Sequence, residues 1–239
     1  MMPIVFLHGS PSDRSVWTPV IEDLPSEVAH AIDLPDHGAA PRLEDDDPLA
    51  LERLVAERID HLVGGDSVLL VGHSYGAFVA ARLAQDGSLP ITKMVLVSGL
   101  AGLPPEGGVS FEAMARALES DELDAAALYD AVEAGWLGDA ASEDAAARAR
   151  GAILATDVSR LARQLRRLAR VATDRVSVSG YDVPAILLHG DRDAAVPTAL
   201  GRELAAVGAD TTFELVPTCL LYTSPSPRDQ RGSRMPSSA

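Results

Sequence analysis

Short unbroken apolar runs alternate with stretches whose apolar residues recur every three or four positions, through most of the 239-residue chain. "PIVFL" near the N-terminus is the first run, and it stops at "HGSPSD". A helical period follows over 15–23, with Trp17, Val20, Ile21 and Leu24 on one side. "EVAHAIDL" reads as a second strand, ending in "PDHG". Residues 49–63 place Leu51, Leu54, Val55, Ile59 and Leu62 at helical spacing, and Asp47 before Pro48 predicts a cap and first helical residue. "DSVLLVG", "ITKMVLVSG", "DVPAILLHG" and "TTFELVP" read as further strands, with helices predicted over "SYGAFVAARLAQDG" and 198–207. Strands that are apolar throughout and separated by helices belong to a parallel sheet covered on both faces. The pattern predicts an α/β domain with a doubly wound, mostly parallel sheet.

The alternation breaks over 101–180. This stretch is Ala-rich, charged and helical, with "FEAMARALES", "LDAAALYDAVEAGWL" and "VSRLARQLRRLARVA". Leu161, Leu165, Leu168 and Val171 make one apolar stripe, and arginines occupy the opposite face. The stretch could be an extra layer that stabilises the sheet. Its position directly after a sheet strand, between two parts of one chain, favours an inserted helical lid whose underside lines a substrate pocket. The expected organisation is a core of 1–100 and 181–218, a lid of 101–180, and a separate tail.

Composition narrows the partners. The net charge of −15 argues against nucleic acid and against an anionic membrane surface, both of which would repel the chain. Aromatics are only 4% of residues, so the core is built mainly from Ala, Val and Leu. Lys93 is the only lysine, and with abundant Arg and Ala this points to a GC-rich bacterial genome. The one cysteine, Cys219, gives no disulfide framework. "MMPIVFLHG" has no basic region or long apolar run, and no stretch reaches membrane-spanning length, so a cytoplasmic location is expected. "GGDSVLLVG" lacks the Gly-Lys-Ser/Thr ending of a phosphate cradle, and no cofactor or metal is expected.

The chemistry gathers at strand ends. Gly72-His73-Ser74-Tyr75-Gly76 is a G-x-S-x-G between a predicted strand and a predicted helix. A serine on so sharp a turn needs small residues two before and two after it, and its hydroxyl stands out near a helix N-terminus that favours developing negative charge. "FLHGSP", "DLPDHG", "GHSYGA" and "GDRDAAVP" occur in this order, and from Pro3 to Pro217 the chain resembles the α/β-hydrolase superfamily. The resemblance implies the α/β-hydrolase fold, Ser74 as nucleophile and Asp193 as the acid that orients a catalytic histidine, with Asp191 as the alternative. It also implies an oxyanion hole from the backbone N–H groups of Ser10 and Tyr75, with His8 as a structural brace. Trp17 either walls the pocket or packs the core. A serine at the elbow disfavours dehalogenase or epoxide-hydrolase chemistry, which needs a carboxylate there.

A serine hydroxyl needs a base, and the resemblance places that histidine in a loop after "TTFELVP". The chain has six histidines, and none follows His189. His189, at the end of the strand before the acid, is a weak substitute. His73 neighbours the serine, but successive residues at a strand end point opposite ways. The stretch after the last strand, "CLLYTSPSPRD", resembles the conceptual translation of a sequencing-library adapter, and "SRMPSSA" resembles its far end in the same frame. Residues 219–239 are therefore expected to be a non-native, disordered tail on a truncated copy, inactive for want of its histidine. The parent is expected to hydrolyse a small ester, thioester or lactone. The alternatives are a cofactor-free peroxidase or carbon–carbon bond hydrolase with the same triad, or a non-catalytic binding module. Oligomeric state is not encoded in any motif.

Overall fold

The computed structural model describes residues 2–26, 28–44, 47–137, 143–173 and 177–217. Six strands build its sheet: β1 (Ile4–Leu7), β2 (Ala29–Ile32), β3 (Val68–His73), β4 (Ile91–Val97), β5 (Ala185–Gly190) and β6 (Thr211–Val216). They lie in the order β2-β1-β3-β4-β5-β6, and each neighbouring pair is parallel. The chain leaves β1 toward one side of the sheet and returns to β3 on the other. The crevice between the C-terminal ends of β1 and β3 is thus a topological switch point, where ligands of open α/β sheets bind. Register sets Leu7 beside Gly72 and His73 beside Val97, so the loops after β1, β3 and β4 emerge together.

The helices follow the sequence pattern, with three differences. The helix expected over 15–23 is a 3-10 turn, Arg14–Trp17, running into a single α turn, α1 (Thr18–Ile21). Asp13 caps the first of these by accepting the Ser15 N–H at 2.8 Å, and Pro25 soon follows. Helix α2 (Ala50–Val63) starts later than expected, because Asp47 first closes a turn on the Leu49 N–H (2.8 Å) and the Ala50 N–H (3.0 Å). Helix α3 (Tyr75–Asp86) follows β3. Four helices then separate β4 from β5: α4 (Pro105–Glu119), α5 (Ala125–Leu137), α6 (Glu143–Leu154) and α7 (Val158–Thr173). Helix α6 has no counterpart among the sequence segments singled out above. Its buried stripe is Ala145, Ala149 and Ile153, too weakly apolar to mark a period. Helix α8 (Thr198–Val207) lies between β5 and β6.

Helix α7 buries Leu161, Leu165, Leu168 and Val171, as its stripe predicts. Its arginines do not all face solvent. Arg163 and Arg167 reach a carboxylate, that of Asp36, with no exposure at all. Residues 219–239, read as a non-native tail, lie outside the described residues. Among those described, no helix is long and apolar enough to cross a membrane.

One face of the sheet carries Val5, Leu7, Leu70, Met94, Leu96 and Leu187, all in the main core. On the other, the row Phe6, Val71, Val95, Ile186 runs straight across four strands by register. Cover fades along it, from 3% exposure at Phe6 to 44% at Ile186. Adjacent residues of β5 should therefore respond very differently to truncation. Leu187→Ala is expected to cost about 2–5 kcal/mol, the range for a buried leucine, and Ile186→Ala less than about 1 kcal/mol. Urea unfolding of the two variants checks this, and equal losses would contradict the register.

Candidate active site

Ser74 sits at the junction of β3 and α3 with φ 51° and ψ −117°, a backbone conformation that L-residues rarely adopt. The turn is held from both sides. The Ser74 N–H donates to Val97 O at 2.9 Å, and the Ser74 carbonyl accepts from Ala77 N (2.9 Å) and Phe78 N (3.1 Å), which starts the helix. The flanking glycines leave the needed room. A Cβ on Gly72 would lie 2.5 Å from Gly76 O and 2.6 Å from the Ala77 Cα, and one on Gly76 would overlap the carbonyl oxygens of Leu7 and His8. Ser74 is half-buried between buried His73 and Tyr75. A Cβ on Gly9 would lie 3.1 Å from the Ser74 Cβ, so the loop after β1 rests directly on the serine.

That loop is braced by two histidines. His8 Nδ1 bonds Gly9 O at 2.7 Å and its Nε2 bonds Leu34 N at 3.0 Å. A carbonyl can only accept and an amide can only donate, so His8 is the neutral Nδ1–H tautomer. His37 repeats the arrangement, with Nδ1 donating to Pro35 O (2.8 Å) and Nε2 accepting from the Ser10 hydroxyl (2.9 Å). Both rings have no exposure, and burial pushes both below the usual imidazole range, His37 well below. Burial lowers His73 to about 4. The His73 ring meets Trp17 edge-on at 6.3 Å, and Trp17 packs Phe6 at 5.1 Å, which places this tryptophan in the core.

The two acid candidates after β5 differ sharply. Asp191 is exposed and lies 3.8 Å from Arg192. Asp193 is buried, and its Oδ1 accepts from Ala195 N (3.0 Å) and Val196 N (2.9 Å). Its Oδ2 is buried with no hydrogen-bond partner among the described residues. His189 Nε2 lies 3.9 Å from that oxygen, beyond hydrogen-bond reach, and bonds Val196 O at 2.7 Å instead. The ring is fully buried against Gly201 of α8. Ser98 follows directly after β4, the strand between those that carry Ser74 and Asp193, with φ 47°, no exposure, and a hydroxyl unpartnered among the described residues.

The strained serine at a strand-to-helix turn, the loop resting on it and the buried acid two strands away all lie at the C-terminal ends of one parallel sheet. The family model described as alpha/beta hydrolase family matches residues 4–219. The chain belongs to the alpha/beta hydrolase family. Among curated proteins it is 26% identical over 233 residues to the pimeloyl-[acyl-carrier protein] methyl ester esterase of Chromobacterium violaceum, covering 93% of this chain and 85% of that one. It is 36% identical over 89 residues to the putative 2-succinyl-6-hydroxy-2,4-cyclohexadiene-1-carboxylate synthase of Haemophilus influenzae, covering 37% of this chain. That match spans only 36% of the Haemophilus protein. A thermophilic esterase from Thermogutta terrifontis has the same fold, with a TM-score of 0.78, 20% identity, and coverage of 97% of this chain and 86% of that one.

Within this hydrolase fold, a groove of about 570 Å³ between α2 and α3 is lined by Leu49, Glu52, Arg82 and neighbours, and not by Ser10, Ser74, Tyr75, Asp191 or Asp193. A smaller crevice joins Tyr75 and Phe78 to Glu52, Arg167 and Arg170. The sequence reading missed the bond between His37 and Ser10 and the ion pairs of Asp36. The only available signal for the latter was the i, i+4 spacing of Arg163 and Arg167.

Two consequences can be measured. Gly76→Ala should abolish the elbow geometry and cost more than about 3 kcal/mol, because backbone rather than a movable side chain occupies the space; urea unfolding reads it. Burial of His8, His37 and His73 makes stability fall in acid. Their folded pKa values lie below the unfolded value of about 6.5, so the unfolded chain binds more protons as pH drops below that point. His73 alone should remove about 3 kcal/mol between pH 6.5 and 4. Urea unfolding across this range checks the sign, and His73→Gln should flatten the slope.

Proposed function

We propose that the chain derives from a serine hydrolase that cleaves a small carboxylic ester, thioester or lactone through an acyl-enzyme. In this reading Ser74 is the nucleophile, Asp193 the acid, and the backbone N–H groups of Ser10 and Tyr75 receive the oxyanion. The observation that carries it is the state of Asp193. One carboxylate oxygen is fixed by two backbone N–H groups, and the other is buried with no donor among the described residues. Burying such an oxygen unpaired is costly, and an imidazole N–H is the donor that a triad acid serves. The exposed Asp191 has no comparable constraint.

The reaction needs the Ser74 proton removed as the Oγ–carbonyl bond forms and the alcohol, thiol or ring oxygen departs; water then reverses these roles. No histidine follows β6 in the sequence. His189 is engaged with Val196 O, which favours a role in holding the acid loop over that of base. None of the six histidines, all of them among the described residues, lies within hydrogen-bond reach of Asp193 Oδ2, so the base that this acid would serve is missing from the described site. Helices α4–α7 act as a lid: α7 docks through Arg163 and Arg167 on Asp36 in the loop after β2, at the edge of the sheet that carries Ser74.

The 239-residue chain should therefore turn over short-chain nitrophenyl esters about a million-fold more slowly than a completed enzyme, the loss seen when a triad base is removed. Robust turnover abolished by Ser74→Ala would contradict this and promote His189. In an enzyme given a natural C-terminus, Asp193→Asn should lower kcat by about ten-thousand-fold and Asp191→Asn by far less. The reverse order in kcat would move the acid to Asp191.

A further inference from the structure

His37 is a buried imidazole that the triad does not use. Its Nδ1–H is committed to Pro35 O at 2.8 Å, so Nε2 carries a lone pair and the Ser10 hydroxyl is its donor at 2.9 Å. Ser10 follows Gly9, which lies against the Ser74 Cβ. The loop that holds His37 is itself immobilised. Asp36 is clamped by Arg163 (Nη2–Oδ1 2.8 Å) and Arg167 (Nη2–Oδ2 3.2 Å), and its carbonyl accepts from Gln164 Nε2 at 2.7 Å. Asp33 accepts from Arg14 N (2.8 Å) and Ala39 N (3.0 Å) on the same loop, and Arg160 donates to Gly38 O and Ala40 O.

We propose that His37 is a positioning residue for the oxyanion hole: its Nε2 lone pair fixes the Ser10 side chain and so aims the Ser10 backbone N–H at the Ser74 site. The proposal rests on the serine-hydrolase reading. It makes the orientation of one oxyanion donor depend on the loop after β2, and through Asp36 on helix α7. A hydroxyl held by an acceptor whose own other nitrogen is anchored has one rotamer, and the peptide plane next to it follows. An oxyanion donor acts only when it is placed before charge develops, and misplacement by about an ångström costs up to about a hundredfold in rate.

The two ring nitrogens can be separated by substitution. His37→Asn keeps a donor where Nδ1 lies but offers Ser10 nothing, whereas His37→Gln offers an acceptor to Ser10 and gives up the anchor on Pro35. The readout is single-turnover acylation of the full 239-residue chain by p-nitrophenyl acetate at pH 9, where hydroxide takes the Ser74 proton and nitrophenolate leaves. Mass spectrometry locates the acetyl group, which accumulates when no base supports deacylation. We expect His37→Asn to slow Ser74 acylation about tenfold or more and His37→Gln to recover most of that loss. Ser10→Ala should add little on top of His37→Asn. Asn acylating as fast as wild type, or Gln losing more than Asn, overturns the proposal and indicates a purely structural anchor. A wild-type chain that never acylates at Ser74 removes the nucleophile reading itself, and the positioning role with it. Should the variants misfold, the ¹⁵N spectrum of wild-type imidazoles decides. A neutral Nδ1–H tautomer of His37, with an Nε2 resonance that shifts in Ser10→Ala, supports the proposal, and an Nε2–H tautomer overturns it.

Discussion

The carbonyl oxygens of Leu7 and His8 occupy the space into which a side chain at position 76 would project. This close approach of the end of β1 to the start of α3 sets the rest of the site. It lets α3 begin immediately after β3, with a one-residue turn, and forces Ser74 to φ 51°. It also lays Gly9 against the serine, so the loop that offers Ser10 cannot sit elsewhere. Packing that tight is available only to glycine, and the strain at Ser74 persists because Val97 O, Ala77 N and Phe78 N over-determine the turn.

From the elbow outward, each support is a buried polar contact rather than more apolar packing. His8 ties the loop after β1 to Leu34, His37 ties Ser10 to Pro35, and Asp36 ties both to helix α7. These groups are shielded from water, so each must find its partner or destabilise the fold. The docking of the helical layer and the bond to Ser10 thus meet in one four-residue stretch, 34–37.

Much of this was legible in the sequence, because it is local. Strands buried on both faces appear as unbroken apolar runs, and a strand followed at once by G-x-S-x-G specifies its own turn. The burial of Leu161, Leu165, Leu168 and Val171 followed from their spacing. Contacts between distant segments were not legible. Asp36 meets Arg163 and Arg167 across 127 and 131 positions, and nothing in "PDHG" separates a buried carboxylate from a solvated one. Helix α6 went unmarked because alanine packs well yet contributes little periodic signal. The first helix is shorter than its pattern because Asp13 caps a 3-10 turn where an α-helical start was expected.

The fold holds residue 74 in a strained backbone conformation, on which the rest of the site depends. Unfolding free energies of Ser74→Gly and Ser74→Ala in the same 239-residue chain test it most directly. Both variants lack the hydroxyl, but only glycine adopts φ 51°, ψ −117° without steric cost, a strain of about 1–3 kcal/mol for other residues. Glycine also loses about 0.5–1 kcal/mol more backbone entropy on folding. The account predicts that Ser74→Gly is nonetheless the more stable of the two. An alanine variant equal to or more stable than the glycine variant would show that the turn carries no such strain, and would contradict the account at its foundation.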